Sequence, residues 1–126
     1  MRYCSTRGLA PTLGFSDAVL TGLARDGGLY WPEQFPHLDA SQIAGFAGHS
    51  YQDIARAVLT PFATDLDPAA LSAMIDEAYA GFRHQAVCPL VQIDDNQFVL
   101  ELFHGPTLAF KDVAMQLLGR LMDHIL

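Results

Sequence analysis

The chain is poor in lysine. Seven of its 126 residues are lysine or arginine, and Lys111 is the only lysine among them. Acidic residues number 14, giving a formal net charge of -7. A nucleic-acid binder needs a basic face that displaces counterions, and this balance excludes one. An acidic surplus of this size serves solubility. Cysteine is scarce as well. Cys4 and Cys88 lie far apart and form no CxxC pair. A single bridge between them is one reading, and two reduced thiols in a cytoplasmic protein is the expected one. The five histidines are scattered, with none in an HExxH spacing, so no metal site is expected. No run of about 18 apolar residues exists, so no membrane-spanning helix is expected. The stretch Met1 to Gly8 has no apolar signal-peptide core. Repeats, low-complexity tracts and charge runs are also missing.

What is present suits a folded chain. Hydrophobic residues make up 51% and charged residues 17%, enough apolar material for a core in one domain of ordinary size. Tyr3-Cys4-Ser5-Thr6 has strand-like residues and ends at Gly8. Ser16 is placed to cap a short helix over 17–24, which Asp26-Gly27-Gly28 stops. Leu29-Tyr30-Trp31 reads as a strand closed by Pro32. A weak helix is predicted over 41–46. Ser50 caps a clearer one, with Asp53 completing a capping box and Ile54, Ala55, Val58, Leu59 and Phe62 at helical spacing. Asp67-Pro68 starts another, carrying Leu71, Met74, Ile75, Ala78, Tyr79 and Phe82 on one side. Segments 89–93 and 97–102 flank Asp94-Asp95-Asn96 as a hairpin. Gly105-Pro106-Thr107 makes a turn before a final helix from about Leu108 or Phe110. The class is mixed α/β, with helices and short strands.

That last helix is apolar on most sides, and its polar residues Asp112, Gln116, Arg120, Asp123 and His124 occupy a narrow strip. Such a helix expects burial nearly all round. Two expectations follow: a truncated chain, or self-association through the exposed helix.

Lys111 heads an apolar row formed with Ala114, Met115 and Leu118. Burial there would disfavour the charged ammonium and leave the neutral amine that Schiff-base chemistry requires. The same helix end would offer backbone N–H groups to a phosphate. The plainer reading is a lysine that snorkels to water from a first turn. A Walker A reading of Gly105 to Lys111 fails, because Phe110 precedes the lysine and Asp112 follows it. Thr107 suits a helix cap or a substrate phosphate. His104 suits a site wall or a turn hydrogen bond. Ser5, Thr6 and Arg7 suit a phosphate site or a strand edge. Asp112 suits the helix dipole.

The stretch from Glu101 through His104-Gly105-Pro106-Thr107 to Ala109-Phe110-Lys111-Asp112 closely resembles the Schiff-base lysine segment of bacterial and fungal-type threonine synthases. Ser5-Thr6-Arg7-Gly8, Leu20-Thr21-Gly22-Leu23-Ala24 and Asp26-Gly27-Gly28-Leu29-Tyr30 with Pro32 resemble that family's earlier blocks, in order. Relatives of the same fold group often carry Ser two residues before the lysine, where this chain has Ala109. The resemblance implies the N-terminal part of a fold type II enzyme dependent on pyridoxal 5'-phosphate (PLP). It further implies Lys111 as the cofactor lysine with Phe110 beside it, and Thr107, His104, Ser5, Thr6 and Arg7 near the substrate. The implied reaction takes O-phosphohomoserine and water to threonine and phosphate. The implied domains are 1–88 and the start of a PLP domain at 89–126. The family's glycine-rich cofactor loop and its partner for the pyridine nitrogen have no counterpart in these residues, so the chain alone is expected to be inactive. A related phospho-amino-acid lyase and a non-catalytic self-associating module are the alternatives.

Overall fold

The computed structural model describes residues 1–126. In chain order the elements are β1 (Tyr3–Ser5), α1 (Phe15–Thr21), β2 (Tyr30–Pro32), α2 (Ala40–Gly45), α3 (Tyr51–Leu59), α4 (Pro68–Ala80), β3 (Leu90–Asp94), β4 (Gln97–Leu100) and α5 (Asp112–Ile125). The strands form two separate antiparallel pairs, β1 with β2 and β3 with β4. Mixed helices and short strands are therefore what the chain contains.

The centre of the molecule is α4. Asp67 caps it by accepting the Ala70 N–H at 3.0 Å, and Pro68 occupies its first turn, where no N–H is needed. Its side chains Leu71, Met74, Ile75, Ala78 and Tyr79 are all buried. They pack with Ala63, Val87 and, from α5, Leu117 and Leu121. One core thus draws on both of the ranges 1–88 and 89–126. The Tyr51 and Tyr79 rings meet edge to face at 4.9 Å, which fastens α3 to α4. The Tyr79 hydroxyl donates to the Val113 carbonyl at 3.0 Å, tying α4 to the first turn of α5. Burial pushes the Tyr79 phenol pKa up, so the group remains a donor.

α3 forms as its capping box demands. The Ser50 hydroxyl accepts the Asp53 N–H at 3.1 Å and the Asp53 carboxylate accepts the Ser50 N–H at 3.4 Å. The hairpin also forms, with a register irregularity between Gln92 and Asp94. Every residue of β3 and β4 is exposed, so both faces of that pair, with Ile93, Phe98 and Leu100, meet solvent.

Several boundaries differ from the sequence reading. α1 begins at Phe15 and ends at Thr21, broken by the following Gly22 at φ 65°. Ser16 is not its cap. Gly14 holds that position without a side chain, and the distant Asp65 carboxylate accepts the Ser16 N–H at 3.1 Å instead. The Asp26-Gly27-Gly28 turn serves a bridge between Leu23 and Leu29 rather than a helix end. Pro32 pairs with Tyr3 inside β2, which lies at a sheet edge where a missing N–H is tolerated. α2 starts at Ala40, one residue earlier than the weak helix over 41–46, because Asp39 and Gln42 build a capping box. Phe62 lies past the end of α3, where its ring meets Phe35 at 6.5 Å. α5 starts only at Asp112, later than Leu108 or Phe110.

Ile75 is 0% exposed at the middle of this core. Ile75→Ala is expected to lower unfolding stability by about 2–5 kcal/mol through lost contact and a residual cavity. Urea denaturation would read this as a lower midpoint at unchanged slope. A loss within about 0.5 kcal/mol would mean that α4 is not the centre of the core.

Candidate functional site: the Lys111 loop

The residues expected at a site fall into two groups, with no hydrogen bond between them. The first is the turn after β1. Ser5 is buried, and its hydroxyl donates to Asp26 at 2.8 Å. The same hydroxyl accepts the Arg7 N–H at 3.2 Å. The Asp26 carboxylate also accepts N–H groups of Leu9 and Gly28, both at 2.9 Å. Burial raises the Asp26 pKa, but the donors from Gly28, Ser5 and Leu9 outweigh it and hold the carboxyl below its ordinary range. The Thr6 hydroxyl accepts the Leu29 N–H at 3.0 Å, and the exposed Arg7 gives one guanidinium N–H to the Asp26 carbonyl at 3.1 Å. A Cβ at Gly28 would collide with the Ser5 hydroxyl. Asp26 thus organises the segment, a role not seen in the sequence although the Asp-Gly-Gly signal was visible.

The second group is the loop from β4 to α5. His104 Nε2 lies 2.6 Å from the Glu101 carboxylate, its ring is 5.1 Å from that of His84, and its carbonyl accepts the Arg83 N–H at 2.8 Å. Thr107 does not cap α5 with its side chain. Its N–H and hydroxyl both donate to the Asp112 carboxylate, at 2.8 and 2.9 Å. Asp112 is only 3% exposed, so it does more than complement the helix dipole. Burial pushes its carboxyl pKa up. Hydrogen bonds from Thr107, Gln116 and the Leu108 backbone outweigh that and hold it below the ordinary value. Leu108 sits at φ 64°, a left-handed conformation uncommon outside glycine.

Lys111 occupies the N-cap position of α5, with φ -61° and ψ -24°. It is exposed, as in the plainer reading of a lysine open to water and unlike the buried amine at the head of an apolar row. The reason is the late start of the helix, which leaves Lys111 on the loop side. The first-turn N–H groups are also not open to a phosphate, because Asp112 and Val113 give theirs to the Ala109 and Phe110 carbonyls at 3.0 and 3.3 Å. What Lys111 does have beside it is an apolar groove of ≈ 870 Å³, walled by Leu102, Phe110, Met115 and Leu118 with Phe15 and Val19 of α1 across from them. α5 therefore buries Leu117 and Leu121 against α4 at the floor of this groove and sets Met115 and Leu118 along its wall.

The model of the threonine synthase N terminus matches residues 2–79, more than half of the chain. The chain belongs to the threonine synthase family. Over its whole length it is 54% identical to the threonine synthase of Pseudomonas aeruginosa, of which it covers 27%. It is 41% identical to the Saccharomyces cerevisiae threonine synthase over 98% of this chain and 26% of that one. Among solved structures, the PLP-bound threonine synthase from Brucella melitensis superposes with a TM-score of 0.96 at 63% identity, covering 99% of this chain and 27% of that one. The Escherichia coli enzyme gives 0.84 at 25% identity, over 99% and 28%. The chain spans about a quarter of the length of the curated relatives it matches. The family match ends before the Lys111 loop, whereas the whole-chain likenesses include it.

The lowered Asp112 pKa fixes a sign for pH. Its stabilisation of the loop is complete above the ordinary carboxylate value of 3.8 and is lost as pH falls below it. The Thr107 amide resonance is expected to stay put from neutral pH down to that value and to move only beneath it. A midpoint above 3.8 would contradict the arrangement.

Proposed function

We propose that this chain is the cofactor-lysine portion of a PLP-dependent threonine synthase, acting on O-phosphohomoserine and water to give threonine and phosphate. The observation carrying this reading is Lys111 at the mouth of an apolar groove, in a chain that superposes at 0.96 on a PLP-bound threonine synthase. The residues fit the cofactor in kind. Lys111 is the single side-chain primary amine, and Phe110 lies beside it on the groove wall. These two would hold PLP. PLP, when bound, supplies the electron sink for the reaction at the substrate carbons.

The rest is the work of this chain's own residues. The Lys111 amine would take and return protons once substrate has displaced it. The apolar wall of Leu102, Phe110 and Met115 would keep bulk water from that amine once the groove is covered. Arg7, exposed at the other loop with one guanidinium N–H in use, and the neighbouring Ser5 and Thr6 would stand near the substrate phosphate. His104, paired with Glu101, would line the substrate side, as would Thr107. We place the boundary of the PLP-binding portion at residue 89, supported by the family match lying wholly before it. The expected setting is cytoplasmic, consistent with two free cysteines and no helix long and apolar enough to cross a membrane. A second reading is self-association through α5, favoured by its exposed Met115 and Met122.

The test uses the lone lysine. The chain is mixed with PLP, reduced with borohydride, digested, and searched for a phosphopyridoxyl group by mass spectrometry. The Met1 α-amine is the only competing primary amine. The same trapping is done on a graft in which these 126 residues replace their counterpart in the Pseudomonas aeruginosa relative. Strong modification of Lys111 in the graft and little in the chain alone is expected, with threonine formed only by the graft. No adduct on Lys111 in either form would remove the PLP assignment. A concentration-dependent dimer without any adduct would favour the self-association reading.

A further inference from the structure

The carboxylate that follows Lys111 has no part in the chemistry just proposed, yet it is the best-satisfied side chain in the loop. Asp112 points away from solvent and back toward the residues that precede the lysine. Its oxygens accept the Thr107 N–H at 2.8 Å and the Thr107 hydroxyl at 2.9 Å, with the Gln116 amide at 3.4 Å from the next turn of α5. An ionised carboxylate offers more acceptor positions than any other small side chain and so takes several donors at once. Gly105 closes the turn from the other side. A Cβ there would collide with the Asp112 side chain. The Gly105 carbonyl accepts the Leu108 N–H at 3.2 Å, and Leu108 is held at φ 64°. A disfavoured backbone angle persists only where its surroundings over-determine it. The chain on the N-terminal side of Lys111 is thus set by Asp112, and on the C-terminal side by α5.

We propose that Asp112 is a positioning residue for Lys111: its bonds to Thr107 and its packing on Gly105 fix the loop from which the lysine amine reaches the apolar groove. The proposal rests on the reading of Lys111 as the cofactor amine. A helix-dipole role alone would be met by an exposed carboxylate in the first turn and would need neither bond to Thr107. Position matters because a misplacement of about 1 Å can cost a reaction on the order of 100-fold.

Three substitutions separate tether from charge. Asp112→Asn keeps the shape. Its carbonyl oxygen can still accept the Thr107 N–H while its amide donates to the Thr107 hydroxyl oxygen. Asp112→Ala removes both bonds, and Thr107→Val removes only the hydroxyl one. Hydrogen exchange on each 126-residue variant reads whether the Thr107 and Leu108 amides are released, and circular dichroism reads whether the helices survive. Borohydride trapping on each graft then gives phosphopyridoxyl at Lys111 relative to Met1.

Asp112→Ala is expected to release the Thr107 amide and lower the Lys111-to-Met1 ratio about tenfold or more, with Asp112→Asn within about threefold of the original and Thr107→Val between them. An unchanged ratio in Asp112→Ala with the amide released would overturn the proposal while leaving the cofactor reading intact. So would an Asp112→Asn loss as large as that of Asp112→Ala, since charge and not the tether would then matter. If Asp112→Ala fails to fold, Thr107→Val decides, and an unchanged ratio there overturns the proposal. A graft that traps nothing at Lys111 before any substitution shows that the cofactor reading itself has failed, and the proposal falls with it.

Discussion

The rest of the structure depends on the contact between α4 and α5. Neither helix could hold its place alone, because each presents an apolar face that water disfavours. Ile75, Ala78 and Tyr79 on one side meet Leu117 and Leu121 on the other, and the Tyr79 hydroxyl adds a directional bond to the backbone of α5. Non-directional burial brings the helices together, and that bond helps set how far α5 slides along α4. The start of α5 is where Lys111 sits, so the placement of the lysine is inherited from a core several residues away from it. The edge-to-face contact of Tyr51 with Tyr79 extends the same chain of support to α3.

A second constraint recurs in three places. Gly14 faces Asp65, Gly28 faces Asp26, and Gly105 faces Asp112, and in each pair a Cβ on the glycine would press on the carboxylate or on the serine it holds. Each of these aspartates gathers backbone N–H groups that no strand or helix serves: Ser16 for Asp65, Leu9 and Gly28 for Asp26, Thr107 for Asp112. Loops leave backbone donors over, and a buried donor without a partner is costly. A short anion placed against a glycine satisfies several donors in a small volume. The acidic balance of the chain is thus partly structural, with at least these three carboxylates employed as acceptors within the fold, Asp112 buried and Asp65 at the surface.

This explains which features were legible in the sequence. α3 and α4 were readable because their caps, Ser50 with Asp53 and Asp67 with Pro68, lie next to the helices they start. The β3–β4 hairpin was readable because its turn residues lie between its strands. The start of α1 was not, since its acceptor is Asp65, 49 residues from Ser16. The start of α5 is hidden for a related reason. Leu108, Ala109 and Phe110 continue an apolar pattern that suits a helix, but Asp112 reaches backward and pins Thr107 in a turn. Local propensity lost there to a bond that only the folded loop makes possible. Lys111 stands out in the sequence by its motif; the apolar pattern around it suggests a helical stripe, whereas it lies at an exposed loop end beside a groove.

That exposure bears on how the lysine could work. An amine acts as a nucleophile most readily where water is kept from it, and an open groove does not do this on its own. The side chains around Lys111 are nevertheless of the kind that would do so once covered: Phe110, Met115 and Leu108 are exposed apolar groups, and Leu118 and Leu102 lie half-buried behind them. The loop needs no such cover to keep its shape, because Asp112, Gly105 and the first turn of α5 already hold it from within. Geometry and dryness therefore have separate sources at this site. The chain supplies the first through a buried carboxylate, and the second awaits whatever lies against the groove.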